Sequence, residues 1–351
     1  MAEETEDLKS AQVESIQAEE VNAMYYDAGL IEPNYKLRRL NTIRGRVYFR
    51  FADEVNLLEP IFYGGTTNMT SEIPKSEQLI DWYASKGSEW AKRNYFQRML
   101  FGSLEHSMLA DYAISKKLNL DEIPERVRNY FFTQNFYCTE KELTDMATEA
   151  QMDFIGLSRW MLDYKVQLIA VEIPVFSDVD FMATQIDLVC LIEEDEEFER
   201  EGYKTKGKRK VPVLALINYK SGKSGFFDTH RFQLESEKNM FLECFPDFAK
   251  YKIRTYNLSG KKFRSLKWDG RSRPYLFSDQ TDKINIDRYN AYLALAKITR
   301  DERLGKPIRI IKGELNFGGD PLQCVEEKTL KQIVEQNMWQ SFVKTSASIP
   351  Q

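Results

Sequence analysis

The chain is poor in cysteine and histidine and has no long apolar run. Its 351 residues include only four cysteines, which are widely spaced and lack the CxxC pairing of zinc and redox sites. We expect each to be a buried free thiol in a reducing compartment. No run of about 18 apolar residues occurs, and the N-terminal segment lacks the apolar core of a signal sequence. These absences argue against a disulfide framework and a membrane span, and they predict a soluble, cytoplasmic protein. The cysteines are Cys138, Cys190, Cys244 and Cys324.

No charge of one sign dominates the chain. Its 49 basic and 54 acidic residues give a net charge of -5, so any nucleic-acid surface must be local. Residues 1–22 hold seven acidic residues against one lysine, which predicts a mobile tail or a solvated helix. We expect an acidic segment over 1–30, a main domain over 31–300 with its core at about 96–260, and a helical extension over 301–351.

A polar turn follows an apolar strand in "VPVLALINYKSGKSG", residues 211–225. The turn contains Gly-Lys-Ser, as a nucleotide-binding loop does, and also Asn-Tyr-Lys, which places a lysine at the end of a strand. A phosphate-binding loop needs a glycine five positions before its Gly-Lys-Ser, so that the backbone can fold around the phosphates. Ile217 occupies that position. Nucleotide hydrolysis at this turn is therefore the weakest of the functions that the sequence suggests.

Two helices are predicted ahead of the strands. The segment "SEQLIDWYASKG" begins with a serine followed by Glu77 and ends at Gly87, and a second helix extends to about residue 117. His106 lies in the second helix, on the same stripe as Gly102, Ser103 and Ala110. A different stripe recurs every four residues and is expected to face the core. This stripe comprises Phe96, Leu100, Leu104 and Met108.

Three apolar runs predict strands near 166–176, 184–193 and 211–220. The last two are expected to pair as an antiparallel hairpin, because the segment between them turns from acidic to basic around Gly202. If the ribbon folds at that glycine, opposite charges face each other across the strands. The expected pairs are Glu194 with Lys210, Asp195 with Arg209 and Glu196 with Lys208.

That register brings an acid, an amide and a lysine together. It places Asp187 almost opposite Asn218, and the two-residue period of a strand puts Asn218 and Lys220 on one face. Asp187 lies in an otherwise apolar strand, where a carboxylate needs a partner such as a metal ion or Lys220. A plain salt bridge at the end of a sheet is the alternative. Glu172 interrupts the apolar run of the preceding strand and adds a second carboxylate.

A further helix is predicted from "FFDTHRFQLESEKNMFLECF". Its residues His230, Gln233 and Glu237 fall along one stripe, because they are three and four positions apart. Such a face suits contact with a phosphate backbone. The two histidines of the chain, His106 and His230, thus both occur in helices that flank the strands in sequence.

These segments resemble, in this order, the RecB-type branch of the PD-(D/E)XK nuclease superfamily. The likeness lies in "GSLEH" for a G-x-x-H-like helix, "VEIPVF" for a glutamate strand, "QIDLV" for a G-x-x-D strand, "INYKSG" for a D/E-x-K strand and "HRFQLESEK" for a Q-x-x-x-Y helix. It spans about residues 100–245. Each motif is short, and their order carries the resemblance. It implies an α/β fold in which a small mixed sheet with an antiparallel hairpin is flanked by helices, with helical additions at both ends.

The resemblance implies a divalent-metal-dependent DNA nuclease. His106 and Asp187 would ligate Mg2+ or Mn2+, with Asn218 at the second acidic position, the Tyr219 carbonyl as a further ligand and Glu172 completing the site. A divalent ion polarises a phosphodiester and lowers the pKa of water. A histidine ligand shifts the preference toward Mn2+. Some branches of the superfamily carry an iron–sulfur cluster on four cysteines, and the cysteine spacing here argues against one.

The resemblance also assigns roles in catalysis and substrate binding. Lys220 would position the attacking water or stabilise charge on the phosphate, beside the catalytic groups Asp187, Asn218 and Glu172. Gln233 would hold the DNA substrate.

The sequence departs from the family at two positions. Asn218 stands where aspartate or glutamate is expected, and Glu237 stands where tyrosine is usual. An asparagine oxygen can ligate a metal but brings no negative charge, so metal affinity and water activation should fall. Three explanations stay open: a natural variant compensated by Glu172, a fold that binds nucleic acid without cutting it, or a deliberate aspartate-to-asparagine change. The second makes the chain a degenerate nuclease fold with a binding or structural role.

A basic segment follows the predicted core. Residues 250–283 hold ten basic residues against three acidic ones, a local net charge of +7, which predicts a phosphate track that includes Lys261, Lys262 and Arg264. Interleaved aromatic residues either stack on unpaired bases or pack on the core. They are Tyr256, Phe263, Trp268 and Tyr275. Helices predicted near the C-terminus are expected to cover the core or to meet a partner protein, and no membrane partner is expected.

Overall fold

We analysed a computed structural model of the chain. The structure describes residues 17–21, 24–25, 31, 33–42, 45–71, 73–74, 77–198, 207–221, 228–260, 274–311 and 321–342. The helices are α1 (Thr66–Ser71), α2 (Glu77–Lys86), α3 (Ser88–Ser115), α4 (Ile123–Thr133), α5 (Glu140–Asp163), α6 (Asp228–Cys244), α7 (Ile286–Gly305) and α8 (Leu330–Glu335). The strands are β1 (Gln17–Val21), β2 (Met24–Tyr25), β3 (Leu37–Thr42), β4 (Gly45–Asp53), β5 (Leu58–Gly65), β6 (Gln167–Ser177), β7 (Met182–Phe198), β8 (Gly207–Tyr219), β9 (Ile253–Ser259), β10 (Leu276–Asp279), β11 (Pro307–Ile311) and β12 (Val325–Thr329).

One large mixed sheet organises the described residues. Its main order is β1-β3-β4-β5-β7-β8-β9-β10, and β6 pairs with β7 and with β2. The β5–β7 and β8–β9 pairs are parallel and the other pairs are antiparallel. β11 and β12 form a separate two-stranded ribbon. The fold is therefore mixed α/β, as the sequence predicts at this level.

The sheet has helices on both faces because its central strands are apolar on both sides. In β8, Val213 and Ala215 pack in the cluster that contains α3, α4 and α5, whereas Leu214 and Leu216 pack with α6 and α7. Such two-sided burial explains the unbroken apolar run that marks this strand in the sequence. The layer formed by α5 begins with a capping box, in which Thr139 and Glu142 satisfy each other's backbone N–H groups.

Several predicted elements are confirmed. The three predicted strands correspond to β6, β7 and β8, and the hairpin between β7 and β8 is antiparallel. The predicted helices correspond to α2, α3 and α6. Within the predicted core stripe of α3, Leu100, Leu104 and Met108 are buried, whereas Phe96 is 51% exposed. Phe96 instead stacks on Phe136 at a centroid distance of 6.4 Å, outside the layer that faces the sheet.

The predicted hairpin register is wrong by one residue. Glu196 pairs with Arg209, and Asp195 pairs with Lys210. The prediction centred the turn on a single residue, which requires an odd number of connecting residues. The chain between Phe198 and Gly207 is instead eight residues long. Opposite charges still meet across the strands, and the Arg209 guanidinium lies 2.7 Å from the Glu196 carboxylate.

The N-terminal addition differs from the expected helices, whereas the helices predicted near the C-terminus correspond to α7 and α8. Residues 17–21 of the acidic segment form β1, which pairs with β3, and β1 to β5 make the N-terminal part largely strand. At the C-terminal side the structure has the β11–β12 ribbon as well as α7 and α8. α8 covers β3 and β4, where Ile333 and Val334 pack with Leu40 and Phe49. β3 and β4 pair as a hairpin with one apolar face. This face needs a cover, and α8 provides it.

Two aromatic residues of the basic segment belong to the core. Tyr256 is 1% exposed and stacks on Phe277, and Tyr275 is 2% exposed. They are therefore not free to stack on bases. Phe263, Trp268 and the predicted phosphate-track residues lie outside the described residues. Those track residues are Lys261, Lys262 and Arg264.

Cys138, Cys190 and Cys244 are free thiols. Cys190 is fully buried, as predicted, whereas Cys138 and Cys244 are half-buried. Among the described helices, none combines the length and apolar character that crossing a membrane requires.

Candidate metal and phosphodiester site

A cavity opens where β7 changes its partner. β7 pairs with β6 along one edge, and along the other edge it pairs first with β5 at Met182 and Ala183 and then with β8 from Leu188 onward. Between these two partners the edge is uncovered. The cavity there has a volume of about 760 Å³ and is lined by residues of β3, β4, β6, β7, β8, α3 and α6. A point at which a sheet forks is a common location for a binding site.

Three metal-ligating side chains converge in this cavity. Ligand atoms of His106, Glu172 and Asp187 all lie within 4.8 Å of one another. His106 Nδ1 lies 3.3 Å from Asp187 Oδ1 and 3.8 Å from Glu172 Oε1. The three residues come from α3, β6 and β7, so the sheet and the helix layer over it position them jointly. Carboxylate oxygen and imidazole nitrogen form a donor set that suits Mn2+ or Mg2+.

The backbone at Glu172 is strained. Its φ is 50°, in the left-handed region that residues with a side chain seldom adopt. The alternation of β6 reverses at this position, because Val171 packs in the cluster of α3 to α5 whereas Ile173 packs with α6. This local reversal leaves the Glu172 carboxyl facing the cavity. The Gln185 side chain donates a hydrogen bond to the Glu172 carbonyl at 3.2 Å and supports the distorted peptide.

Asp187 is held by the strand beside it. The Tyr219 backbone N–H donates to Asp187 Oδ2 at 2.6 Å, and the Tyr219 ring contacts the His106 ring edge-on at a centroid distance of 5.6 Å. The Tyr219 side chain therefore buttresses the histidine, while its backbone orients the carboxylate. In the observed register, Asp187 and Asn218 follow directly on the Leu188–Ile217 pair. The predicted proximity of Asp187 and Asn218 holds despite the shifted pairs farther along.

The pKa values of the ionisable groups in this site are shifted from their ordinary values. Burial disfavours the charged imidazole, but the Asp187 and Glu172 carboxylates outweigh it and raise the pKa of His106 to about 10. Burial raises the pKa of Glu172, with the neighbouring negative charge of Asp187 acting in the same direction. Against burial, the His106 charge holds the pKa of Asp187 below its usual range. A bound cation would replace the proton that the histidine and acids now share.

Asn218 is a buried amide whose hydrogen-bonding capacity is unused. It is 1% exposed, it lines the cavity, and neither its Oδ1 nor its Nδ2 has a hydrogen-bond partner among the described residues. Leaving both groups unpaired costs roughly 1 to 3 kcal/mol for each group. A bound ion or water in the cavity would satisfy the amide oxygen.

Lys220 connects the cavity to α6. Its Nζ donates to Gln233 Oε1 at 3.2 Å, and Gln233 Nε2 donates to Glu237 Oε1 at 2.7 Å. Burial lowers the pKa of Lys220. Burial and the charge of Asp187 raise the pKa of Glu237 to about 8. Gln233 thus orients the lysine, and Glu237, at the position where tyrosine is usual in the family resembled, anchors the glutamine.

The close approach of α3 to the turn after β8 requires Gly102. A Cβ at this position would lie 3.0 Å from the Ser221 Oγ. Gly102, Ser103 and Ala110 line the cavity with His106, so the predicted stripe of α3 does face the site. The small residues of this stripe form part of the cavity wall.

The sequence reasoning missed one wall of the cavity. Arg39, Arg46 and Tyr48, from β3 and β4, line it together with Arg98 of α3. The closely spaced arginines of "LRRLNTIRGRVYF" could have indicated a basic ribbon, but no local feature shows that this ribbon meets Glu172 and Asp187, more than 100 residues later. Long-range pairing decides that contact.

Two predicted site residues are not among the described residues that line the cavity: Tyr219, whose carbonyl is a predicted ligand and whose side chain is fully buried, and His230. His230 is half-buried in the first turn of α6, although Gln233 of the same helix lines the cavity. The Gly-Lys-Ser turn, apart from Ser221, lies outside the described residues. The structure thus brings together His106, Glu172, Asp187, Asn218, Lys220 and Gln233.

No protein-family model matches the chain, and no curated protein matches it. The geometry of the cavity is therefore the basis from which a function is inferred.

Proposed function

We propose that this chain is a divalent-metal-dependent DNA nuclease of the RecB-like PD-(D/E)XK type. The observation that supports it most is the convergence of His106, Glu172 and Asp187 within 4.8 Å, at a cavity that also contains the unpartnered buried amide of Asn218. Acidic groups often cluster without a ligand. The Asn218 amide lines the cavity and offers a further polar group to a ligand there. The donor set of the site fits Mn2+ or Mg2+.

Each residue of the proposed site has a distinct role. His106, Glu172 and Asp187 would hold the ion, with the Asn218 Oδ1 as a further oxygen donor. The ion, when bound, supplies positive charge at a phosphodiester and makes water easier to deprotonate. Lys220 places an ammonium group beside the carboxylates, where it stabilises the charge that develops on the phosphate.

The same geometry explains why the residue at position 218 matters. Asparagine offers one neutral oxygen where the superfamily has a carboxylate, so the site carries one negative charge fewer. The alternative function follows from this observation. A site that holds its ion weakly would bind nucleic acid without cutting it, as a degenerate nuclease fold with a binding or structural role.

The test is cleavage of linear and circular DNA in Mn2+ and in Mg2+. Three proteins are compared: the chain as it stands, Asn218→Asp, and the double variant that adds Lys220→Ala. We expect Asn218→Asp to cut faster than the parent by at least tenfold and the double variant to lose that gain, because removal of one electrostatic stabiliser costs about 10²-fold or more.

The control for DNA binding is an electrophoretic shift in EDTA with the same three proteins. Absence of cleavage by Asn218→Asp in both metals, together with retained DNA binding, contradicts the nuclease proposal and supports the non-cleaving alternative. Comparison of linear with circular substrates also distinguishes exonuclease from endonuclease cleavage, because only linear DNA has ends.

A further inference from the structure

The β3–β4 hairpin presents two arginines on the face that turns toward the cavity. Arg39 pairs with Tyr48 and Asn41 pairs with Arg46, so these four side chains lie on one face of the antiparallel ribbon. Leu40 and its partner Val47 lie on the opposite face, buried against α8. The covered apolar face fixes which way the ribbon turns, and it leaves the basic face to line the cavity.

Arg39 is linked to the proposed metal site. Its Nη1 donates to Gln185 Oε1 at 3.2 Å, and Gln185 donates in turn to the Glu172 carbonyl. Arg39 is half-buried, and burial lowers its pKa, with the neighbouring charge of Arg46 acting in the same direction. Two guanidinium groups that repel each other beside a cavity are stabilised by an anion that contacts both.

A third arginine, Arg98, also lines the cavity. Arg98 of α3 is neutralised by Glu149, whose Oε1 lies 2.8 Å from Arg98 Nη1. Arg46 is exposed, and its partner across the hairpin is the neutral Asn41. Arg39, in contrast, has Glu19 of β1 as its register partner. Arg46 is the more exposed of the two, so its substitution tests anion binding with the smaller disturbance of packing.

We infer that Arg39 and Arg46 form a phosphate-binding wall that holds a DNA strand against the site of His106, Glu172 and Asp187. The inference rests on the proposed function for the identity of its ligand. It assigns a substrate-binding role to the N-terminal hairpin, a part of the chain outside the segment that resembles the nuclease superfamily. The wall contacts phosphate oxygens and is expected to bind DNA without sequence preference.

The experiment measures binding of a fluorescein-labelled DNA oligonucleotide, single-stranded or duplex, by fluorescence anisotropy in EDTA. The variant is Arg46→Ala. The matched control is Arg209→Ala, which removes the same charge from an exposed arginine near the opposite end of β8, where it pairs with Glu196. Both positions are exposed, and thermal melting checks that each variant folds.

We expect Arg46→Ala to weaken binding by roughly fivefold at 100 mM salt and to reduce the slope of log K against log salt by about 1, as loss of one phosphate contact does. Arg209→Ala should bind as the parent does. Arg46→Lys should recover part of the loss, because the charge stays while the planar fork is removed. The stronger-bound form of DNA identifies whether the wall receives a single strand or a duplex.

Three results would overturn the inference: no DNA binding by the parent, equal binding by Arg46→Ala and the parent, or an equal loss in Arg209→Ala. None of these decides the proposed function, which is judged by cleavage in Asn218→Asp. If Asn218→Asp cleaves DNA and Arg46→Ala has no effect on DNA binding, the phosphate-binding wall is rejected and the proposed nuclease activity stands. If Arg46→Ala specifically weakens DNA binding and Asn218→Asp does not cleave DNA, the phosphate-binding wall stands and the proposed nuclease activity is rejected.

Discussion

The two ends of β7 carry acidic residues in opposite circumstances. Near Asp187, the buried side chains include an amide with no hydrogen-bond partner among the described residues and a Glu237 oxygen in the same condition. About 23 Å farther along the strand, Glu194 receives a short hydrogen bond from the Tyr256 hydroxyl and lies 3.2 Å from Arg254 Nε. Arg254 also contacts Asp279 at 3.0 Å. The cavity end is strained and holds an amide without a hydrogen-bond partner, whereas at the other end Glu194 and Arg254 are ion-paired, although the Arg254 Nε makes no hydrogen bond among the described residues.

The difference separates residues that stabilise the fold from residues that serve a ligand. Buried polar groups are ordinarily paired, because each unpaired group costs free energy of folding. The paired end therefore contributes to stability. The cavity end costs stability, because Glu172 has a left-handed backbone and the Asn218 amide has no hydrogen-bond partner among the described residues, and such a cost is typical of functional sites. Local departures from good packing are expected at functional sites.

Glu194→Gln should produce the largest loss of stability. It removes the charge that holds Arg254 and weakens the hydrogen bond from Tyr256, at a position whose side chain is 19% exposed. We expect the free energy of unfolding to fall by about 2 kcal/mol. Urea denaturation followed by circular dichroism measures it. An unchanged unfolding midpoint would mean that the paired end contributes nothing and would break the comparison.

Glu237→Gln, the same exchange at the cavity end, should increase the stability of the fold. Because the folded-state pKa of Glu237 is raised to about 8, the fold favours its protonated form, and stability falls as pH rises from about 4.5 to 8. A neutral glutamine removes this penalty. We therefore expect a higher melting temperature at pH 8 and a flatter dependence of melting temperature on pH between 5 and 8. Equal pH profiles for parent and variant would contradict the buried, uncompensated position of Glu237.

Glu172→Gly compared with Glu172→Ala isolates the backbone strain. Both variants lose the carboxylate, but only glycine adopts a φ of 50° without steric cost. We expect the glycine variant to be more stable than the alanine variant by about 1 kcal/mol, the reverse of the usual order inside a strand. Urea denaturation in EDTA measures the difference. A more stable alanine variant would show that the left-handed backbone relaxes once the carboxylate is removed.

The sequence predicts the strands and most of the site, because both depend on local signals. Apolar runs mark β6, β7 and β8, and single polar interruptions mark Glu172, Asp187 and Asn218. The exact register is not local, since it depends on whether the connection between β7 and β8 has an odd or even length. The left-handed conformation of Glu172 is likewise imposed by its neighbours.

The basic wall of the cavity also depends on tertiary contacts. β3 and β4 reach the site through the pairing of β4 with β5 and of β5 with β7, which no short motif encodes. Tyr256 shows the same limit of prediction from the sequence. Its place in a basic, aromatic segment favours base stacking, but its side chain packs against Phe277 in the core. Alternation along a strand shows which side chains share a face of the sheet. It does not show which part of the chain covers that face.

Calorimetric titration of Mn2+ tests the central claim most directly. Three proteins are compared: the parent, Asp187→Asn at the cavity end and Glu194→Gln at the paired end, each checked for folding by circular dichroism. The account predicts a Mn2+ site in the parent and in Glu194→Gln, and loss of that site in Asp187→Asn. No Mn2+ binding by the parent, or equal binding by the parent and Asp187→Asn, would contradict it.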